Sequence, residues 1–213
     1  MKVVVLHGLY MHGIVMLPLC NRIEEAGHEV LNLSYHTTKP DIPELFSKID
    51  TFIGDAPCCL IGHSMGGVIS RAYLDAGSHQ SDNVRAVITL GTPHQGSSLA
   101  GFIRSLDLDE FMFRDSKRFL LPDDVHEWRY KAKLHSIAGD LPIGPATLFL
   151  PRADSDGTVL LEETKIEGME SHEVYPFAHT ALIYSRRVTE RILSLLDHYD
   201  GDTHLNTDIA TTG

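Results

Sequence analysis

Gly62-His63-Ser64-Met65-Gly66 sets a serine between two glycines, each two residues away. A serine hydroxyl is a weak nucleophile, and chemistry from it needs a base to take its proton and a third group to orient that base. The string G-x-S-x-G arises by chance in roughly 7% of chains this long, so its setting decides. Before it stands CCLI, an apolar strand-like run, and after it GGVISRAYL at helical spacing. Strand, sharp turn and helix together present a serine hydroxyl at the edge of a parallel sheet. Small residues are needed on both sides because the strained turn brings the backbones together. Met65 opens the helix, so its N–H can face a developing oxyanion.

Both partners lie downstream, in the chain order nucleophile, acid, histidine. PRADSDGTV carries Asp154 and Asp156, and PFAHTALIYS carries His179. TLFL before the acids reads as a strand and a helix follows His179, so both groups fall at the carboxyl edge such a site needs. Asp156 is preferred as the orienting acid because it precedes Gly157 and a strand-like TVLL, which leaves Asp154 to serve a turn. Of the 13 histidines, His63 is committed beside the nucleophile, and His7, His12 and His94 lie on turns that do not fit the order. His172, in a polar stretch, is the second choice as base. The expected catalytic set is Ser64, Asp156 and His179.

To position these groups the chain must alternate strand and helix. Residues 3–6 form an all-apolar run ending at a glycine, the pattern of a strand buried on both faces. Residues 14–26 carry apolar side chains at near-helical spacing up to Gly27, a helix stop. Strands are expected at 30–33, 57–61, 84–90, 134–138 and 147–150. Helices are expected at 42–53, with Pro43 in the first turn, from Gly66 to a stop at Gly77, and at 180–196. This alternation predicts an α/β domain, a mostly parallel sheet with helices on both faces. One domain over 1–197 is expected, with 198–213 as a surface tail.

Between 91 and 133 the chain spends about 40 residues where a crossover helix needs about a dozen. Leu99, Phe102, Ile103 and Leu106 fall at i, i+3, i+4 and i+7, and Phe111, Met112, Phe113, Phe119 and Leu120 follow. The segment is either ordinary crossover packing or a small cap within 97–130. As a cap it would supply Phe102, Ile103 and Leu106 as an apolar wall for substrate.

The 213 residues are 43% hydrophobic, enough for a core without disulfides or a structural metal. Twenty-nine acidic against 18 basic residues give a formal charge of −11, which repels nucleic-acid phosphates and anionic headgroups. No nucleic-acid partner is expected. Cys20, Cys58 and Cys59 are an odd set without C-x-x-C or zinc spacing, and they suit a reducing compartment. The opening apolar run is short and lacks a cleavage site, and no stretch reaches the roughly 18 apolar residues of a membrane span. A cytoplasmic protein without a membrane anchor is expected; its oligomeric state is open.

These motifs resemble those of the α/β-hydrolases, and among them the small bacterial lipase-like esterases, over nearly the whole chain to Leu196. VVVLHGL is similar to the first-strand His-Gly motif and GHSMGG to the nucleophile turn. GTPHQGS at 91–97 is similar to a loop frequent in lipase-like members, and SDGTV with AHTALIYS to the acid and base segments. The resemblance implies the α/β-hydrolase fold, a Ser64, Asp156 and His179 triad, and an oxyanion hole from the N–H groups of Leu9 and Met65. It implies no metal and no organic cofactor. His7 and His94 resemble loop residues of that family and are expected to shape loops by hydrogen bonding. The implied activity is hydrolysis of a small-molecule carboxylic ester of short to medium acyl chain through an acyl-enzyme. The same constellation serves a thioesterase, an amidase or an acyltransferase, and the fold also serves non-catalytic ligand binding.

Overall fold

Val3, Val4, Val5 and Leu6 have no exposed surface, because β1 (Lys2–Leu6) has a parallel neighbour on each edge and a covered face on each side. The computed structural model describes residues 1–105, 114–116, 119, 127–149 and 154–210. The described strands are β1, β2 (Glu29–Leu33), β3 (Cys58–His63), β4 (Val84–Leu90), β5 (Lys133–Gly139) and β6 (Ser171–Tyr175). They form one sheet in the order β2-β1-β3-β4-β5-β6, parallel throughout.

Alternation along each strand divides the side chains between two cores. Val4, Leu6, Leu60, Val87 and Leu134 pack with Leu45, Ile49 and Ile53 of α2 (Ile42–Ile53) and Ile69 and Tyr73 of α3 (Met65–Ala76). Val3, Val5, Ile61, Ile88 and Ile137 pack with Leu19 and Ile23 of α1 (Leu17–Glu25) and Val188, Ile192 and Leu195 of α5 (Arg186–Ala210). The adjacent Cys58 and Cys59 fall into opposite cores as buried free thiols, acting there as small apolar fillers. The helix limits follow local chemistry. The Asp41 side chain accepts the Glu44 N–H at 3.0 Å to start α2, and Gly77, at φ 63°, closes α3.

Three expectations need correction. Residues 147–150 do not begin as a strand: Ala146–Phe149 is a helical turn, with the Thr147 hydroxyl donating to the Gly144 carbonyl at 2.7 Å, and Leu150 lies outside the described residues. A four-residue apolar run has no periodicity to separate the two. The strand next to β5 is instead β6, whose residues are only partly buried, so SHEVY carries no apolar signal.

The helix expected at 180–196 is divided. A turn at Ala181–Tyr184 ends at Ser185, whose ψ of 123° is extended and whose Oγ accepts the Val188 N–H at 3.3 Å, capping α5. α5 then passes the expected boundary at 197 and reaches Ala210. The Tyr199 hydroxyl pairs with His135 Nε2 at 2.8 Å, and Asp200 holds the N-terminal ammonium at 3.3 Å. The segment after 197 therefore starts as docked helix, not as a surface tail.

Of the long insertion, α4 (Ser98–Ser105) and the side chains of Ala100, Phe119 and Trp128 join the core beneath α3. The side chains of Phe102 and Ile103, and the whole of Leu106, Phe111, Met112, Phe113 and Leu120, lie outside the described residues. The expected apolar wall falls there. Among the described residues no helix is long and apolar enough to cross a membrane.

Candidate active site

Ser64 is the single residue between the end of β3 and the start of α3. Its backbone sits at φ 53°, ψ −124°, a region that costs a non-glycine residue about 1–3 kcal/mol. Main-chain bonds hold it there. The Ser64 N–H donates to the Leu90 carbonyl at 2.8 Å, and the Ser64 carbonyl accepts the Gly67 N–H at 3.0 Å and the Thr92 hydroxyl at 2.9 Å. The flanking glycines are needed for space: a Cβ on Gly62 would lie 2.3 Å from the Gly67 nitrogen, and one on Gly66 would lie 2.3 Å from the Leu6 oxygen.

Asp156 and His179 come from the connections after β5 and β6. Asp156 Oδ2 lies 2.6 Å from His179 Nδ1, and its Oδ1 accepts the N–H groups of Thr158 at 2.9 Å and Val159 at 2.8 Å. The carboxylate is buried, so these donors replace the water it loses. The turn role expected of Asp154 thus belongs to the second oxygen of Asp156. Asp154 is exposed, and its main-chain carbonyl accepts the Leu161 N–H at 2.9 Å.

The corner at Leu90 and Gly91 joins this pair to the serine. Leu90 receives the Ser64 N–H, while a Cβ on Gly91 would lie 2.8 Å from Asp156 Oδ2 and 2.9 Å from His179 Nδ1. Gly91 also has φ 56°, so both conformation and room call for glycine. His63 closes the group from the other side. Its Nε2–H donates to the His179 carbonyl at 3.2 Å, and the two rings lie 4.6 Å apart. Burial first, then the His179 ring, pushes the His63 pKa well below the usual histidine range, so it is neutral, and its Nδ1 is buried without a partner.

The other histidines weighed from the sequence lie outside this pair. His172 pairs with the Thr164 hydroxyl at 2.8 Å, and His12 is exposed. His94 pairs with the Thr89 hydroxyl at 3.0 Å, its carbonyl accepts an Arg71 N–H at 2.9 Å, and burial pushes its pKa down to about 3. Buried Glu163 ties the acid loop to α4 by accepting the N–H groups of Ser98 at 2.5 Å and Leu160 at 3.0 Å; burial pushes its pKa up. Sequence reasoning missed Glu163, whose donors are backbone amides, one of them, Ser98, 65 positions away in the chain.

Met65, the first residue of α3, has one of the amides for which a helix offers no internal acceptor. Leu9 follows Gly8, where a Cβ would lie 3.0 Å from Ser64 Cβ. The serine, the acid–histidine pair and the Leu9 loop therefore converge on one sheet edge. Among the described residues no group of three or more His, Cys, Asp or Glu side chains is arranged to hold a metal.

A parallel sheet with a serine in a strained turn after its central strand, and an acid–histidine pair on later connections, defines an α/β-hydrolase fold. The mature form of the Bacillus licheniformis lipase BlEst2 superposes with a TM-score of 0.73 at 22% identity, covering 92% of this chain and 91% of that one. The Paleococcus ferrophilus monoacylglycerol lipase superposes at 0.57 with 18% identity, covering 93% and 94%. These likenesses show the fold. In sequence, the PGAP1-like alpha/beta domain matches residues 12–113, a span that holds Ser64 but neither Asp156 nor His179. The GPI inositol-deacylase of Aspergillus fumigatus is 33% identical over 88 residues, 39% of this chain, and that of Chaetomium globosum 25% identical over 141 residues, 64% of it. The chain spans 7% and 10% of the lengths of these two relatives.

Proposed function

We propose that the chain is a serine hydrolase that cleaves carboxylic esters through an acyl-enzyme. The observation that carries this is the 2.6 Å Asp156–His179 pair, set against the corner that fixes the strained Ser64. Neutral His179 takes the Ser64 hydroxyl proton as Oγ bonds to the ester carbonyl carbon. The oxygen that becomes negative is met by the N–H groups of Leu9 and Met65. On collapse the bond to the alcohol oxygen breaks, and that oxygen takes the proton from His179. Water, deprotonated by His179, then releases the carboxylic acid and restores Ser64. The scheme uses no cofactor. Turnover of p-nitrophenyl butyrate by the wild type, lost in Ser64→Ala, tests it; a thioester, an anilide and an added alcohol acceptor in the same assay separate the thioesterase, amidase and acyltransferase readings. No turnover of any of them would favour a binding protein.

A short to medium acyl chain and a cytoplasmic location belong to the same proposal, the second supported by the buried free thiols. A finer reading of the alcohol has its own support. The relatives are named for inositol deacylation, and Tyr35, which packs on His7, also lines a cleft of about 470 Å³ that carries the hydrogen-bonding side chains of Ser34, Thr38, Lys39, Asp41 and Arg114. Such a lining suits a polyol better than an apolar alcohol. A butyryl-inositol hydrolysed with higher kcat/KM than butyryl esters of apolar alcohols supports this reading, and the reverse order refutes it.

A further inference from the structure

The loop that carries Leu9 is clamped by a residue from the neighbouring strand. Tyr35, two residues past β2, stacks on His7 with ring centroids 4.3 Å apart and planes at 12°. Its N–H donates to His7 Nε2 at 3.2 Å, and its hydroxyl donates to the His7 carbonyl at 2.5 Å. Tyr35 therefore touches the side chain and the main chain of one residue at once. Because Nε2 accepts an N–H, the proton of the neutral ring sits on Nδ1. Nδ1–H in turn donates to the Gly8 carbonyl at 3.1 Å, which also accepts the Met11 N–H at 3.3 Å. The Gly8 carbonyl and the Leu9 N–H belong to the same peptide plane, and no described peptide is cis. In a trans peptide these two groups point in opposite directions. Fixing the carbonyl toward His7 thus fixes the Leu9 N–H away from it.

We propose that Tyr35, acting through the Nδ1–H tautomer of His7, is a positioning residue that aims the Leu9 N–H at the oxyanion. This rests on the esterase reading above. The Tyr35 N–H sets the tautomer, its hydroxyl holds the His7 main chain, and His7 sets the peptide; Tyr35→Phe removes only the hydroxyl contact. The benefit is entropic and electrostatic, since a donor already aimed needs no reorganisation as charge develops. It follows that the clamp acts on the transition state and leaves ground-state binding alone.

The experiment compares Tyr35→Phe, His7→Leu and His7→Asn, the last keeping a side-chain N–H near the Nδ1 position. Expected are a kcat about tenfold lower for Tyr35→Phe and about a hundredfold lower for His7→Leu, partly restored in His7→Asn, with KM within about twofold of wild type. The inhibition constant of a trifluoromethyl ketone, whose adduct with Ser64 carries the oxyanion, should rise by the same factor as kcat falls. Loss of stability without that parallel rise, or a normal kcat in folded Tyr35→Phe and His7→Leu, overturns the proposal. Absence of ester turnover in the wild type sinks the esterase reading instead. The tautomer is read independently from long-range ¹⁵N–¹H correlations of the His7 ring, where Nε2–H would overturn the clamp whatever the activity.

Discussion

Asp156 and His179 are joined twice. The Asp156 carboxylate meets His179 Nδ1 at 2.6 Å, and the His179 N–H donates to the Asp156 carbonyl at 2.9 Å. The main-chain bond keeps the two loops together whatever the side chains do. Removing the carboxylate charge is therefore a test of chemistry more than of folding.

Asp156→Asn should lower kcat by about 10⁴-fold with a folded protein, because an amide at this position favours the wrong imidazole tautomer. Asp154→Asn should stay within about twofold, since its side chain is exposed. Steady-state kinetics of the two variants side by side decide it; a crippled Asp154→Asn with a mild Asp156→Asn would reverse the assignment.

The φ of 53° at Ser64 predicts an asymmetry between two inactive variants. Ser64→Ala and Ser64→Gly should both lose about 10⁶-fold in kcat. Alanine keeps the strain of a Cβ in this region and glycine does not, so Ser64→Gly should be more stable than Ser64→Ala by about 1 kcal/mol. Urea unfolding measures the difference, and equal midpoints would mean the turn carries no strain.

Most of this frame could be read before the structure, because its signals are local. Residues 3–6, 84–90 and 42–53 announce themselves by β-branched runs or helical period, and Ser64 by a strand and a helix on either side of it. What could not be read is what depends on distant partners. β6 gains its place by pairing with β5 at a half-exposed edge, so its composition stays polar. The turn at Ala146–Phe149 depends on bonds to Gly144 and Gly157. Tyr35 lies 28 positions from His7 in the chain, and no spacing rule links them.

Gly91 gives the third prediction. With φ 56° and a Cβ position 2.8 Å from Asp156 Oδ2 and 2.9 Å from His179 Nδ1, Gly91→Ala must displace the pair or distort the corner. Stability should fall by about 1–3 kcal/mol. Turnover should fall by about 10²-fold or more, as expected when catalytic groups are misplaced by about 1 Å. A variant with wild-type kcat would show that the corner can move away without cost.

The last prediction concerns acid. Burial is the leading cause that lowers the pKa of His7, His28, His63, His94, His135 and His172, with His94 at about 3 and His63 well below the usual value. Unfolded, each returns to about 6.5. Above that pH neither state is protonated and these groups leave stability unchanged. As pH falls below it the unfolded chain takes up protons that the folded chain refuses, so stability is lost from about 6.5 down toward the folded values. Each fully buried histidine contributes up to about 1.4 kcal/mol per pH unit in that window, and the half-buried His172 contributes less. Glu163, raised by burial, works in the opposite sense, because the folded state then binds its proton first. With His63 and His94 dominant, unfolding free energy should drop by about 2–3 kcal/mol per unit between pH 6 and 4. His94→Gln, whatever it does to stability at pH 7, should make that slope shallower. Urea midpoints at pH 7, 6, 5 and 4 supply both slopes; a wild-type midpoint unchanged from pH 7 to 5 would mean that the interior histidines accept protons without unfolding.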